Sequence, residues 1–209
     1  MGQTFLPRFQ QMVAELREHP QINVTEVRIA SAASREEVEA AKRMAEGRLP
    51  EGMEDFYLEM NGFLLEWEHK QEELRRGAEI NRGSVEILPI GEVLKGWQGV
   101  TWFEFEGGER FKSVKPLDFF APEACAALVH SESKGFASTV HYHYLGEFLC
   151  NTGYSFTQFI DRLLNARGFW YWIETLCPDT QQSPEAQNFL QQMPSLFEDF
   201  QPTLFQPGS

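Results

Sequence analysis

A chain of 209 residues in which 42% are hydrophobic, with 18 Phe and 5 Trp, is long enough to bury one sizeable core and suits one large domain with appendages. Its 31 acidic against 18 basic side chains leave a formal charge of −13, which disfavours phosphate backbones and anionic lipid, so neither nucleic acid nor a membrane surface is expected as a direct partner. The apolar runs fall short of the roughly 20 residues of a membrane span, and the opening MGQTFLPRFQ lacks the flank and apolar run of a secretory signal, so the expected location is the cytoplasm.

Phe5, Leu6, Phe9, Met12, Val13 and Leu16 recur at helical spacing and predict an amphipathic helix ending near His19-Pro20, with a β-branched strand over Ile22 to Ile29 behind it. Ser34 followed by Glu37 matches a capping box, and Val38, Ala41, Met44 and Ala45 give that second helix its buried face, closed by Gly47. The stretch Leu49 to Trp67 then reads as a signed helix. Pro50 suits its first turn, Glu51, Glu54 and Asp55 sit beside the positive end of the dipole, and Met53, Phe56, Tyr57 and Met60 form the apolar stripe. Asn61-Gly62 stops it, since both residues accept the left-handed conformation of a C-terminal cap, and Phe63 to Trp67 follows as a strand.

The charged segment from Glu68 to Gly83 reads as a solvated loop or short exposed helix. Val85 to Pro89 is a strand, Ile90 to Trp97 a turn or short helix, and the alternating aromatic and acidic run Val100 to Glu106 predicts one arm of a hairpin that turns at Gly107-Gly108 into Arg110 to Val114. Ala124 to His130 and Ser138 to Leu145 are two further strands joined by the polar link 131–135, the second placing Val140, Tyr142 and Tyr144 on one face and His141 and His143 on the other. Ser155 caps a helix lined by Phe156, Phe159, Ile160, Leu163 and Leu164, which Phe169 to Leu176 continues or repeats. From Pro178 the composition shifts to Gln, Pro and Ser, with one helix starting at Ser183-Pro184. Phe197, Phe200, Leu204 and Phe205 are too apolar for a solvated tail, so this segment is expected to pack on the domain or on another subunit.

The side chains that carry chemistry are few. His141 and His143 point the same way on a strand and form the one candidate metal pair, with His130, Cys150 or Glu147 to complete a site, against the alternative of two histidines on an outer strand face. Cys125, Cys150 and Cys177 are an odd count without CxxC spacing, which argues against a disulfide framework or a structural zinc site, and no base sits near any of them in sequence. Glu66 and Glu68 flank Trp67, and Glu104 and Glu106 flank Phe105. Either pair can aim two carboxylates from one strand face, as a hydrolase requires and as any exposed acidic sheet also shows. With Trp67, Trp97 and Trp102 as aromatic anchors these acids make a candidate surface for a basic partner, the alternative for each Trp being core packing. No glycine-rich phosphate loop is present and no cofactor is expected.

The Leu-Pro opening, acidic amphipathic helix, Asn-Gly stop and Trp-bearing strand of residues 49–67 resemble the SUKH superfamily, proteins similar to the yeast Smi and Knr regulators of cell-wall assembly and, in bacteria, often immunity proteins against secreted toxins. The resemblance continues in GSVEILPIGEV (Gly83 to Val93) and in YLGEFLCNTGYSFTQFIDRLL (Tyr144 to Leu164), while the charged segment 68–83 and the chain after Pro178 lie outside it. Together with the element order it implies an α+β fold, a largely antiparallel sheet flanked by helices, in a SUKH-like domain over 1–177 with 1–33 as an extension and 178–209 as a C-terminal segment packing on it. The implied function is a non-catalytic immunity protein that covers a cognate, basic toxin domain through Glu66, Trp67, Glu68, Trp102, Glu104 and Glu106. The alternatives are a regulatory or scaffold protein of the cell-wall type and, third, a metal-dependent hydrolase using His141 and His143.

Overall fold

Two capping boxes fix two of the helices. Ser34 Oγ accepts the Glu37 amide while the Glu37 carboxylate accepts the Ser34 amide at 2.7 Å, and Ser155 and Gln158 repeat the exchange. In the computed structural model, which describes residues 4–75, 80–131 and 135–208, these boxes open α2 (Arg35–Met44) and α5 (Phe156–Ala166). The other elements are α1 (Leu6–Glu18), β1 (Ile22–Ile29), α3 (Met53–Glu59), β2 (Phe63–His69), β3 (Arg82–Ile87), α4 (Ile90–Val93), β4 (Val114–Ala121), β5 (Ala124–Ser131), β6 (Gly135–Phe136), β7 (His141–Tyr144), β8 (Phe148–Asn151) and α6 (Pro184–Leu196). Parts of the charged segment 68–83 and of the link 131–135 lie outside the described residues.

All pairings are antiparallel, in the order β1-β2-β3-β4-β5-β7-β8 with β6 folded back on β5. The architecture is therefore the expected α+β: one antiparallel sheet and its helices in a single compact domain. Alternation divides each strand between two faces. Phe63, Leu65 and Trp67 of β2, Val85 and Ile87 of β3 and Tyr142 of β7 point inward, where they meet Phe9 and Leu16 of α1, Phe56 of α3, Phe159 and Leu163 of α5 and Phe189 and Met193 of α6 in one continuous core. Trp67 is its hinge pin. The indole donates to the Arg167 carbonyl at 2.7 Å and lies so close to Gly83, its partner on β3, that a Cβ there would meet it at 2.0 Å.

Several local expectations change. Met44 is 57% exposed, because α2 ends there and Ala45 supplies the last buried contact instead. The third helix starts only at Met53, behind Gly52 with φ +80°, and at its end Gly62 alone takes the left-handed conformation, while Asn61 Oδ1 accepts the Ile90 amide at 2.8 Å. The hairpin expected over 100–114 does not form. Residues 100–107 are turns, Gly108–Phe111 is a 3₁₀ turn, and the extended chain begins only at Val114 as β4. Cys150 and Cys177 are joined by a disulfide, 27 residues apart and with Cα atoms 6.2 Å apart, against the expectation from their odd count and spacing, because the fold brings the end of β8 beside the 3₁₀ turn 172–176. The bond lies just ahead of the C-terminal segment, where the rings of Phe189, Phe200 and Phe205 pack at 4.8 to 5.5 Å and Gly208 donates to the Thr152 carbonyl. No helix among the described residues is long and apolar enough to cross a membrane.

Candidate protein-binding face

The outer face of the sheet has two halves. Over β4, β5, β7 and β8 it is roofed by the segment between α4 and β4, whose Trp102 and Phe111 sit with Val114, Cys125 and Ala127 in a second, smaller apolar core. Over β1, β2 and β3 no such roof exists among the described residues, and the outward side chains are Glu26 and Arg28, Leu64, Glu66 and Glu68, and Arg82, Ser84 and Glu86. Four carboxylates thus share this half-face with two guanidinium groups.

The register makes the acidity local. Glu26 stands directly opposite Glu66 across the β1–β2 ladder, a placement of like charges that destabilises a sheet, and Arg28 lies two residue pairs further, opposite Leu64 on the same face. On the next strand, burial pushes the Glu86 carboxyl above the ordinary range, Arg28 pulls it back, and Glu66 and Glu26 push it up again. Glu26, Glu66 and Glu86 therefore lie together beside Arg28, with Arg82 also acting on Glu66 from β3.

A cleft adjoins them. β3 pairs with β4 only at Ile87 and Asp118. Towards Arg82 its partner becomes the chain after α5: Ser84 donates to the Gly168 carbonyl and Trp170 to the Arg82 carbonyl, each at 2.9 Å. The divergence leaves a space of about 520 Å³ lined by Glu66, Arg82, Glu86, Phe119 and Trp170, with the Arg82 guanidinium 3.4 Å over the Trp170 ring. At the closed end of the same seam Asp118, 1% exposed, accepts the Glu86 amide at 2.7 Å through Oδ1, and burial pushes its carboxyl up to about 7.

The sequence-derived residues fall into three groups. Glu66 and Glu68 project from the bare half-face, with Glu68 accepting from Asn23 at 3.4 Å. Glu104 and Glu106 are exposed on the turn at the tip of the roof, not on a strand. Trp67 at 2% exposure and Trp102 at 8% are core residues of the two faces, so neither offers its ring to a partner, and half-buried Trp97 packs on Phe119 at 5.5 Å. Glu26, Arg28, Arg82, Glu86 and Trp170 were missed. The alternation in Val85 to Leu88 marks Glu86 as outward, but no sequence signal brings residue 170 beside residue 82.

His141 and His143 share the outer face as expected, yet His143 lies under the roof and His141 is half-buried. His143 is fully buried with Nδ1 2.8 Å from the Phe148 carbonyl and Nε2 3.0 Å from that of Thr101, and His141 Nδ1 lies 3.2 Å from the Thr139 carbonyl. With both nitrogens of His143 facing carbonyl oxygens, and with Cys150 held in the disulfide, the set imagined for a metal does not converge. No group of three or more His, Cys, Asp or Glu among the described residues is placed to hold an ion. Cys125 is buried under the roof and burial pushes its thiol up, away from the reactive thiolate. Buried Glu174, whose carboxylate accepts from Tyr142 Oη at 2.9 Å and from Ser183 Oγ, is also held above the usual range by burial, but it is enclosed and ties α6 to the core. What the open surface can do is attract cations, in the cleft and along β1 to β3.

No protein-family model matches this chain, and no curated protein matches its sequence.

Proposed function

We propose that the protein is a non-catalytic binding protein that neutralises a basic protein, in the manner of the immunity proteins its 49–67 region resembles, by covering that partner with its bare acidic half-face. The observation that carries this reading is the Glu26–Glu66 apposition beside Glu86, like charges held together on a solvent-facing ladder where a cationic partner would relieve them. The chain's charge of −13 acts in the same direction at long range, raising the rate of encounter with a basic surface.

The test begins with capture of partners on the tagged protein from source lysate at low and moderate salt. The expected result is one basic polypeptide, released as salt rises, whose toxicity when expressed alone is relieved by co-expression of this chain. Glu26→Lys/Glu66→Lys should abolish protection. Full protection by the double variant would remove the half-face from the interface.

This reading places the protein in the cytoplasm with its target. The Cys150–Cys177 bond bears on that placement, because reducing compartments hold such pairs as thiols. Alkylation of the protein in intact cells, followed by thiol counting, decides it: two blocked extra thiols fit the cytoplasm, and a retained disulfide places the protein outside it.

A further inference from the structure

The roof ends in a turn whose construction is at odds with its exposure. Phe105 is 56% exposed, one of three large apolar side chains left open among the described residues, and a second of the three, Val100, lies on the same segment. An exposed phenylalanine on a fraying loop needs no explanation. This loop is pinned from both sides.

On one side, Thr101 is buried and its carbonyl faces His143 Nε2 at 3.0 Å, while Trp102 sits in the small outer core. On the other, Phe111 belongs to that core and the Arg110 guanidinium donates to the Glu147 carbonyl at 2.7 Å. Between these anchors the backbone closes on itself: Phe105 donates to the Phe103 carbonyl at 3.0 Å and Gly108 to the Phe105 carbonyl at 2.9 Å. Gly107 takes φ +84°, and a Cβ on Gly108 would lie 2.4 Å from the Phe103 carbonyl oxygen, so both glycines are required by this shape. The Phe103 ring stacks beneath Phe105 at 5.9 Å and itself rests on Gly146 in the β7–β8 turn. Glu104, Glu106 and Glu109 stand exposed around the free ring.

Resting on the binding reading above, we propose that residues 103–109 form a preshaped recognition knob, with Phe105 entering an apolar pocket on a basic protein while Glu104, Glu106 and Glu109 pair with lysine or arginine side chains around its rim. A rigid aromatic with two side-chain torsions loses little entropy on binding, and the fixed turn lowers the ordering term further. Binding energy concentrates at such an anchor, with the charged ring supplying rate and selectivity. The sequence marks this turn by its acids and hides its anchor, because Phe105 reads as one more member of an aromatic alternation.

The probe is a displayed library of small three-helix domains, randomised over one face and selected against the intact chain. Expected winners combine aliphatic or aromatic positions with clustered Lys and Arg. Their affinity should fall about tenfold or more on Phe105→Ala, less on Phe105→Leu, and a few-fold on Glu104→Gln/Glu106→Gln. The melting temperature of Phe105→Ala should match that of the parent, which separates lost recognition from lost fold. Winners insensitive to Phe105→Ala overturn the knob. If those same winners are lost on Glu26→Lys/Glu66→Lys, the half-face stands without the knob, and if winners need Phe105 but carry no basic residues, the knob survives only as an apolar site and the charge part of the proposal is overturned.

Discussion

The two halves of the outer sheet face begin from the same pattern and end as opposites. On β2 the outward residues around Trp67 are Glu66 and Glu68. On β7 the outward residues around Tyr142 are His141 and His143. Both alternate apolar with polar, yet Glu66 stands in solvent with Glu68 half-exposed beside it, while His143 lies fully buried against Phe111 of the roof. Alternation reports that a strand has two different faces. It does not report whether the polar face is wet, since that depends on a segment some 40 residues earlier in the chain folding over it.

The largest effect should come from lifting the roof. Trp102→Ala removes the main apolar contact of a small core and is expected to destabilise the protein by about 3 kcal/mol, with the second half-face behaving more like the first. Urea unfolding measures the loss. Cys125, the only free cysteine among the described residues, gives a local readout: thiol labelling should be slow in the parent and fast in the variant. Equal labelling rates would show that the roof is not what shields β5.

The seam between the halves carries the next effect. Asp118 has a folded-state pKa of about 7, above its ordinary 3.8, so the native state holds this proton more tightly than the unfolded state does. Stability should then be greatest at acid pH as far as this group is concerned and should fall as pH rises from about 4 through 7, by on the order of 4 kcal/mol. Asp118→Asn keeps an acceptor for the Glu86 amide and should flatten that slope. His143 acts with the opposite sign. Burial lowers its pKa against the pull of the Phe148 and Thr101 carbonyls, so its contribution is complete above pH 6.5 and is lost as pH falls through the lowered value. A neutral ring can donate to only one of the two carbonyls. Ring nitrogen shifts followed by NMR across pH 4 to 8 would show which, and a ring protonated at pH 8 would contradict the sign.

Helix legibility followed local chemistry. Ser34 with Glu37, Ser155 and Ser183-Pro184 each announced a start within four residues, and each helix starts there. Strand legibility followed the environment. β1, β2, β3, β5 and β7 were recognised, but β4 was missed, since Val114 to Ala121 is covered on both faces, contains Pro116 and shows no alternation; β8, at four residues, is too short to show one. The run Val100 to Glu106 alternates well and is no strand, because its aromatics go to three places: Trp102 into the roof, Phe103 onto the β7–β8 turn, Phe105 into solvent. Of the candidate surface, the sequence marked Glu66, Glu68, Glu104 and Glu106, which follow from local spacing. Glu26 opposite Glu66, Arg82 on Trp170 and Cys150 bonded to Cys177 each join distant segments, and no spacing rule reaches that far.

The smallest expected change in stability is the most diagnostic of the bare half. Glu66→Gln relieves a like-charge pair on an exposed ladder, so the free protein should gain about 0.5 kcal/mol, the opposite sign to most substitutions. If Glu66 is there to meet a partner, the same variant should bind that partner more slowly and with a weaker salt dependence. A surface kept acidic only for solubility predicts the gain without the loss. A double variant that also carries Glu26→Gln separates the two. Were the repulsion between these residues the whole effect, the second change would add almost nothing to stability, because the first has already removed the pair. Association should still slow further with each carboxylate lost, because each one faces the incoming charge by itself.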